Sequence, residues 1–282
     1  MVLVGADKRR ILTIGEATVG VISTAIANRV LIRRLAGREV EAKYRGSLLG
    51  IVWAVLNPLL LLAVYTVVFS GVFRMRWSGT AGGTGEFALL AFSGLIIFNI
   101  FAECLMRAPG LMLENVSYIK KVVFPLEVLP YVQLGVSLFG ALVSFAVLGV
   151  VYPFVFGAPP LTALLLPFLL LPLLLMVLGL SWFLASVGVF LRDVRQLVSI
   201  VTTIVMFASP ILYPADIVPE AWRGLMRFGP LMVPLEQVKD VLFWGRLPDP
   251  LALGLYSLAS ICVAVGGFWW FKRTCKAFAD VV

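Results

Sequence analysis

The side chains able to do covalent chemistry are few, and their spacing gathers none of them. The 282-residue chain has no histidine, which removes the commonest general base and metal ligand. Its three cysteines, Cys104, Cys262 and Cys275, lie far apart in or beside apolar runs. A thiol in that setting behaves as a small buried side chain, so no metal site is indicated. There is no GxxxxGK[ST] loop to grip nucleotide phosphates, and the chain is not expected to hydrolyse ATP by itself. The carboxylates Asp216, Glu220, Glu236, Asp240 and Asp249 are strung along one segment with neither a clustered pair nor a DxD, a pattern that disfavours a membrane glycosyltransferase or polymerase. Glu103, four residues before Arg107 and inside an apolar run, has two readings: an interfacial ion pair at i+4, or a contact to substrate.

Membrane spans must position these groups. With 61% hydrophobic and 13% charged residues and a mean hydropathy of +1.03, the composition is that of a polytopic membrane protein, read as one membrane domain. The net charge of +8 is dispersed among loops without zinc-finger spacing or an RNA-binding aromatic signature. It fits the positive-inside bias of a membrane protein better than a nucleic-acid partner. Residues 46–73 contain 28 positions without a charge, where about 20 suffice to cross ~30 Å of hydrocarbon. Just before them stand Arg33, Arg34, Arg38, Lys43 and Arg45 against Glu39 and Glu41. The first span therefore runs from inside to outside.

In chain order, Ile22, Ile26 and Val30 at i, i+4, i+8 predict an amphipathic helix at the membrane surface. Gly37 is expected to break it, and a second amphipathic piece over 38–48 leads into the first span. The segment 1–50 is read as the cytoplasmic N-terminus with this interfacial connecting element. It lacks a signal-peptide pattern and is expected to stay on the chain. The rest, 51–282, is expected to be an all-α domain of six spans at about 51–73, 87–106, 127–155, 161–187, 196–213 and 251–271. The uncharged run 128–191, 64 positions long, is divided by a turn at FGAPP. Pro210 and Pro214 are expected to stop span five. The segment 215–250 keeps apolar clusters and is read as two short amphipathic helices that re-enter or cap the membrane on the far side. FWWF and Lys272, Arg273 and Lys276 close span six. On this topology 17 of the 23 Lys and Arg residues lie inside and 6 outside, and both termini are cytoplasmic.

Three stretches, KYRGSLLG followed by Trp53 and Asn57-Pro58, KKVVFPLEVLP, and SPILYP, resemble the permease subunit of polysaccharide-exporting ATP-binding-cassette transporters of the ABC-2 type. That family carries O-antigen, capsule and teichoic acid chains. The likeness runs from about Arg33 to the tail. It implies a bacterial inner-membrane protein, a second copy of itself, two copies of a separate ATPase subunit carrying ATP and Mg, and a lipid-linked polysaccharide as cargo. No cofactor, metal or nucleic acid is implied for this chain. The tail of 11 residues is too short for a carbohydrate-binding domain. O-antigen is the first reading, with teichoic acid, capsule or a drug or small-lipid exporter of the same architecture as alternatives.

The resemblance also implies site residues. Contact to the ATPase subunit falls to Arg38, Lys43 and Arg45 before span one and to Glu114, Tyr118, Lys120 and Lys121 in the loop after span two. Lys120 and Lys121 have a second reading as anchors of the membrane edge. The conduit is implied to be lined by spans one and five, through Trp53, Asn57, Tyr65, Phe69, Phe207 and Tyr213. Aromatic faces can stack on the C–H faces of sugars, while the alternative for each is ordinary helix or lipid packing. An amide at Asn57 needs a partner or water, or bonds the carbonyl freed by Pro58.

Overall fold

The computed structural model describes residues 14–68, 84–119, 124–213, 218–220, 224, 226 and 229–278. Every regular element among them is helical, the form in which a segment satisfies its own backbone within hydrocarbon. The helices are α1 (Ile14–Ala27), α2 (Arg29–Tyr44), α3 (Trp53–Tyr65), α4 (Thr84–Arg107), the single turn α5 (Val116–Ile119), α6 (Val128–Phe156), α7 (Leu166–Phe190), α8 (Val194–Ala208), α9 (Met232–Lys239) and α10 (Pro250–Thr274).

The N-terminal helix pair breaks at Asn28 and not at Gly37. Asn28 adopts φ −104° and ψ 15°, and its Nδ2 donates to the Thr24 carbonyl at 3.0 Å, a local bond that competes with the helix ladder. Gly37 stays inside α2, with no atom within 4 Å of where a Cβ would stand. α2 also ends earlier than expected, at Tyr44, and glycines at positive φ (Gly46 at 85°, Gly50 at 52°) turn the chain into α3. α1 does more than lie on a surface. Ala17 and Val21 are buried, Gly20 abuts the Phe268 ring of α10, and the Tyr131 hydroxyl of α6 donates to the Val21 carbonyl.

Among the described residues five stretches are long and apolar enough to cross a membrane: Gly50–Val68, Gly85–Gly110, Val128–Phe156, Leu161–Phe190 and Pro250–Ala277. They match expected spans one to four and six. α8, at the place of expected span five, has 15 residues and reaches only about 22 Å at ~1.5 Å per residue. It ends at Ala208, short of the expected 213: Ser209 is extended (φ −105°, ψ 145°) ahead of Pro210, the first of the two prolines expected to interrupt it, as a residue before proline prefers. Pro214 lies outside the described residues. α10 begins on Pro250, with Asp249 Oδ1 accepting from the Leu251 amide at 2.9 Å, a capped N-terminus with proline in the first turn.

α4 forms the centre. Phe87, Leu90, Ala91, Ile97 and Ile100 are nearly fully buried, and α6, α7, α8 and α9 pack around it. α7 and α10 form the tightest pair: a Cβ on Gly179 would stand 2.3 Å from the Val263 carbonyl oxygen, and one on Gly267 only 2.0 Å from that of Gly179. The helices touch backbone to backbone, as small residues permit in membranes. In the segment 215–250 one of the two expected short helices is described, α9, which runs into a wide turn at Asp240–Trp244. The earlier piece, 215–228, lies largely outside the described residues.

Candidate functional site

The charged residues of α2, the end of α4, the following turn and the start of α8 meet at one end of the bundle. Arg107, in the last turn of α4, donates to Glu39 Oε2 at 3.0 Å and to Gln133 Oε1 at 2.9 Å, with Glu114 Oε2 3.9 Å from its Nε. Arg195 of α8 reaches Glu114 Oε1 at 3.1 Å. Lys43 pairs with Glu103 at 2.7 Å, so the i+4 pairing of Glu103 with Arg107 is replaced by one that ties α2 to α4. The pairing follows from approach: α2 brings Lys43 to Glu103 while Arg107 is taken up by Glu39 and Glu114.

Arg38 donates to the Tyr118 hydroxyl at 2.8 Å, and the Tyr118 ring stacks on Phe124 with centroids 4.3 Å apart. Two residues singled out separately in the sequence thus form one contact. The hydrogen bond to Tyr118 is the main cause that raises the Arg38 pKa above its ordinary value. Glycine is required beside this cluster at Gly188 of α7, where a Cβ would meet the Pro109 carbonyl oxygen at 2.2 Å, whereas a Cβ on Gly110 would displace the tip of the Arg195 side chain, 1.9 Å away. Most of these ion pairs involve side chains that are a third to a half exposed, and each contributes ~0–1 kcal/mol. Their effect is to fix four elements in one arrangement. Arg45 follows α2 and is exposed. Lys120 and Lys121 lie outside the described residues.

The expected conduit residues divide into separate places. Trp53 and Asn57 line a cleft of about 280 Å³ between α3, α4 and α6, together with Asn99, Glu103, Ser137 and Ser144. From Phe87 to Ala102 α4 is buried at every position except Asn99, which is exposed; polar side chains collected here in mid-span would hydrogen-bond water or a polar ligand. Tyr65, half-buried further along α3, does not line that cleft. Phe207, 65% exposed, sits at the far end of α8, and the Tyr213 hydroxyl donates to its carbonyl at 2.6 Å. Phe69 lies outside the described residues.

Several anchoring residues went unnoticed in the sequence. Lys239 of α9 is buried and donates to the Pro210 carbonyl at 2.6 Å, and Tyr256 of α10 donates to the Pro230 carbonyl at 2.9 Å. Tyr152 and Thr162 donate to the Leu242 and Val241 carbonyls, each at 2.7 Å. A lysine in a loop rich in other charges carries no signal of burial. Glu127 and Lys272 form an ion pair between the start of α6 and the end of α10; both are charges just outside an apolar run, which is the only trace they leave in the sequence. Among the described residues no group of three or more His, Cys, Asp or Glu side chains could hold a metal.

Comparison with known proteins adds to this geometry. Residues 30–243 match the ABC-2 type transporter family. The chain is 31% identical over 259 residues to the O-antigen export system permease protein RfbA of Myxococcus xanthus, covering 90% of this chain and 96% of that protein. It is 25% identical over 250 residues to a protein of the same name from Klebsiella pneumoniae, covering 88% of this chain and 93% of that one. The long apolar helices make it a multi-pass membrane protein, and its matches are to transport subunits, not to enzymes. With the family match spanning most of its length, from the start of α2 to the turn after α9, the chain belongs to the ABC-2 type transporter family.

Proposed function

We propose that this chain is the membrane permease of an ATP-driven exporter that moves lipid-linked O-antigen polysaccharide across the bacterial inner membrane. The observation that carries the reading is the match along nearly the whole chain to relatives named as O-antigen export permeases. Two copies form the conduit, with α3 and α8 toward each other and α8 acting as a short fifth span. This is supported by the apolar and aromatic faces that both helices leave uncovered, such as Leu60 and Val64 on α3 and Ile204 and Phe207 on α8. A chain of many sugars does not fit an enclosed pocket of ~300–1,000 Å³. A continuous channel between copies is the physical alternative. Both termini are cytoplasmic, and α9 with its turn caps the exit on the far side, re-entering the membrane.

ATP and Mg sit on a separate ATPase subunit, two copies per exporter. It engages the permease where Arg38, Tyr118, Glu114 and Lys43 converge, with Arg45, Lys120 and Lys121 alongside. A push on the 108–119 turn reaches α2 through Glu39 and α8 through Arg195, because Arg107 and Glu114 bridge them. Deleting the gene in its host should strand lipid-linked polymer on the inner face, and the intact chain should restore export. A deletion strain that still displays its polymer refutes the reading. Normal display with lost efflux of small amphiphiles would assign the chain to drug or small-lipid export instead.

A further inference from the structure

α2 carries a row of four arginines of which only Arg38 takes part in the cluster above. Arg29 and Arg33, and Arg34 and Arg38, are two i, i+4 pairs of like charge on exposed faces, an arrangement that is unfavourable by itself. Together with Val30, Gly37 and Glu41 they line an open groove of about 720 Å³. Glu41 is its one acidic group, and among the described residues Arg29, Arg33 and Arg34 have no carboxylate within ion-pair distance. A second groove of about 730 Å³ lies between α2 and α6 and shares Arg29, Arg33, Gly37 and Glu41 with the first. Its remaining wall is almost entirely apolar, with Ile32, Ala36, Val40, Leu134, Leu138 and Phe139. α1 and α2 also expose Val19 (67%), Ile22 (63%), Ile26 (60%) and Val30 (57%).

Two compartments with one shared wall select their occupant. An acidic protein surface or a free phosphate would match the arginines and leave the apolar slot empty. A hydrocarbon chain alone would leave the arginines without a counter-ion. An amphiphile with a negatively charged headgroup satisfies both. Basic residues on amphipathic elements beside a membrane span attract anionic lipid at roughly 1 kcal/mol per charge, and guanidinium groups match phosphate oxygens in paired hydrogen bonds.

We propose that α2 and the facing side of α6 hold an anionic glycerophospholipid of the surrounding leaflet. Its phosphate diester lies on Arg29, Arg33 and Arg34, and one acyl chain lies in the slot against Leu134 and Leu138. This is a resident lipid, separate from any transported cargo, and it supplies the counter-charge that Arg29, Arg33 and Arg34 lack among the described residues.

The test is native mass spectrometry of the full chain purified with its ATPase subunit, titrated with phosphatidylglycerol and with phosphatidylcholine of identical acyl chains. Phosphatidylglycerol is expected to stay bound and phosphatidylcholine to be lost. Arg33→Gln with Arg34→Gln should weaken retention about 25-fold, two charges at roughly 1 kcal/mol each with 1.4 kcal/mol per tenfold. Arg33→Lys with Arg34→Lys should recover most of it. Leu138→Trp fills the slot without touching charge and should weaken retention at least about threefold, the effect of roughly one methylene's burial.

Equal binding of the two lipids, or unchanged retention in either the glutamine or the tryptophan variant, overturns the proposal. So does loss of the ATPase subunit with lipid retention intact, which would make the arginines a protein-docking face. Displacement of phosphatidylglycerol by an equimolar polyprenyl pyrophosphate would hand the site to the cargo and also overturn it. Should the glutamine pair fail to fold, Arg34→Gln alone and Leu138→Trp decide the matter.

Discussion

α3 and α4 are both apolar enough to cross a membrane, yet within an apolar 18-residue stretch of each, 83% is buried inside the chain for the α4 span and only 17% for the α3 span. Composition does not separate them; surroundings do. α4 has small residues where neighbours press, as at Gly94, where an added Cβ would touch Ile211 and Leu235 at 3.4 Å, and at Ala91, which is fully buried. α3 offers Val55, Leu59, Leu60 and Val64 to the outside. In water such a face would demand a cover, but lipid tails are as apolar as leucine and set no such demand. An uncovered apolar face here is compatible with lipid or with a second copy, and only polar groups such as Asn57 mark what lipid would not satisfy.

Four substitutions test this contrast. The largest effect is expected inside: Gly267→Val drives a side chain into the Gly179 backbone, where neither helix can yield. It should destabilise by roughly 3 kcal/mol or more, read as loss of the monodisperse peak in detergent. Arg107→Ala removes the bridge between Glu39, Gln133 and Glu114. The two ion pairs are partly exposed and contribute little, but Gln133 is buried and would lose its donor, so the loss should be about 1–3 kcal/mol, while ATPase activity of the assembled exporter becomes uncoupled from transport. Unchanged coupling would reduce the cluster to packing.

On the bare helix, Trp53→Ala should leave folding intact and slow export about 2- to 10-fold, the effect of one lost aromatic contact of ~0.5–1.5 kcal/mol. A variant that fails to assemble would show Trp53 to be a packing residue. The smallest effect is expected for Leu60→Ala, within about 0.5 kcal/mol in thermal unfolding of a single copy in detergent. A much larger loss would mean that this face is covered after all.

The long spans were legible because apolar length is a local property: the starts of α4, α6 and α10 fall within a few residues of their expected positions. The stop at Ser209-Pro210 was legible for the same reason, since proline acts on its neighbour. The Asn28 break was not, because it depends on one amide choosing the Thr24 carbonyl over solvent. Nor was the partner of Glu103. Sequence spacing offered Arg107 at i+4, while the observed partner, Lys43, is 60 residues away and is set by how α2 lies across the bundle. Arg38 and Tyr118 were named singly as expected contact residues, without the hydrogen bond that joins them. Lys239 shows the limit most plainly, since burial of a lysine is a tertiary fact with no local sign.

The backbone contact of Gly179 with Gly267 also limits how the molecule can move. Two helices that meet through side chains can slide past one another by exchanging rotamers, but a carbonyl seated against another helix's Cα has no rotamer to exchange. α7 and α10 are therefore one stiff plank. Gly188 extends that contact to the 108–110 turn, pressed on the Pro109 carbonyl, so a displacement of the turn bears directly on the backbone of α7.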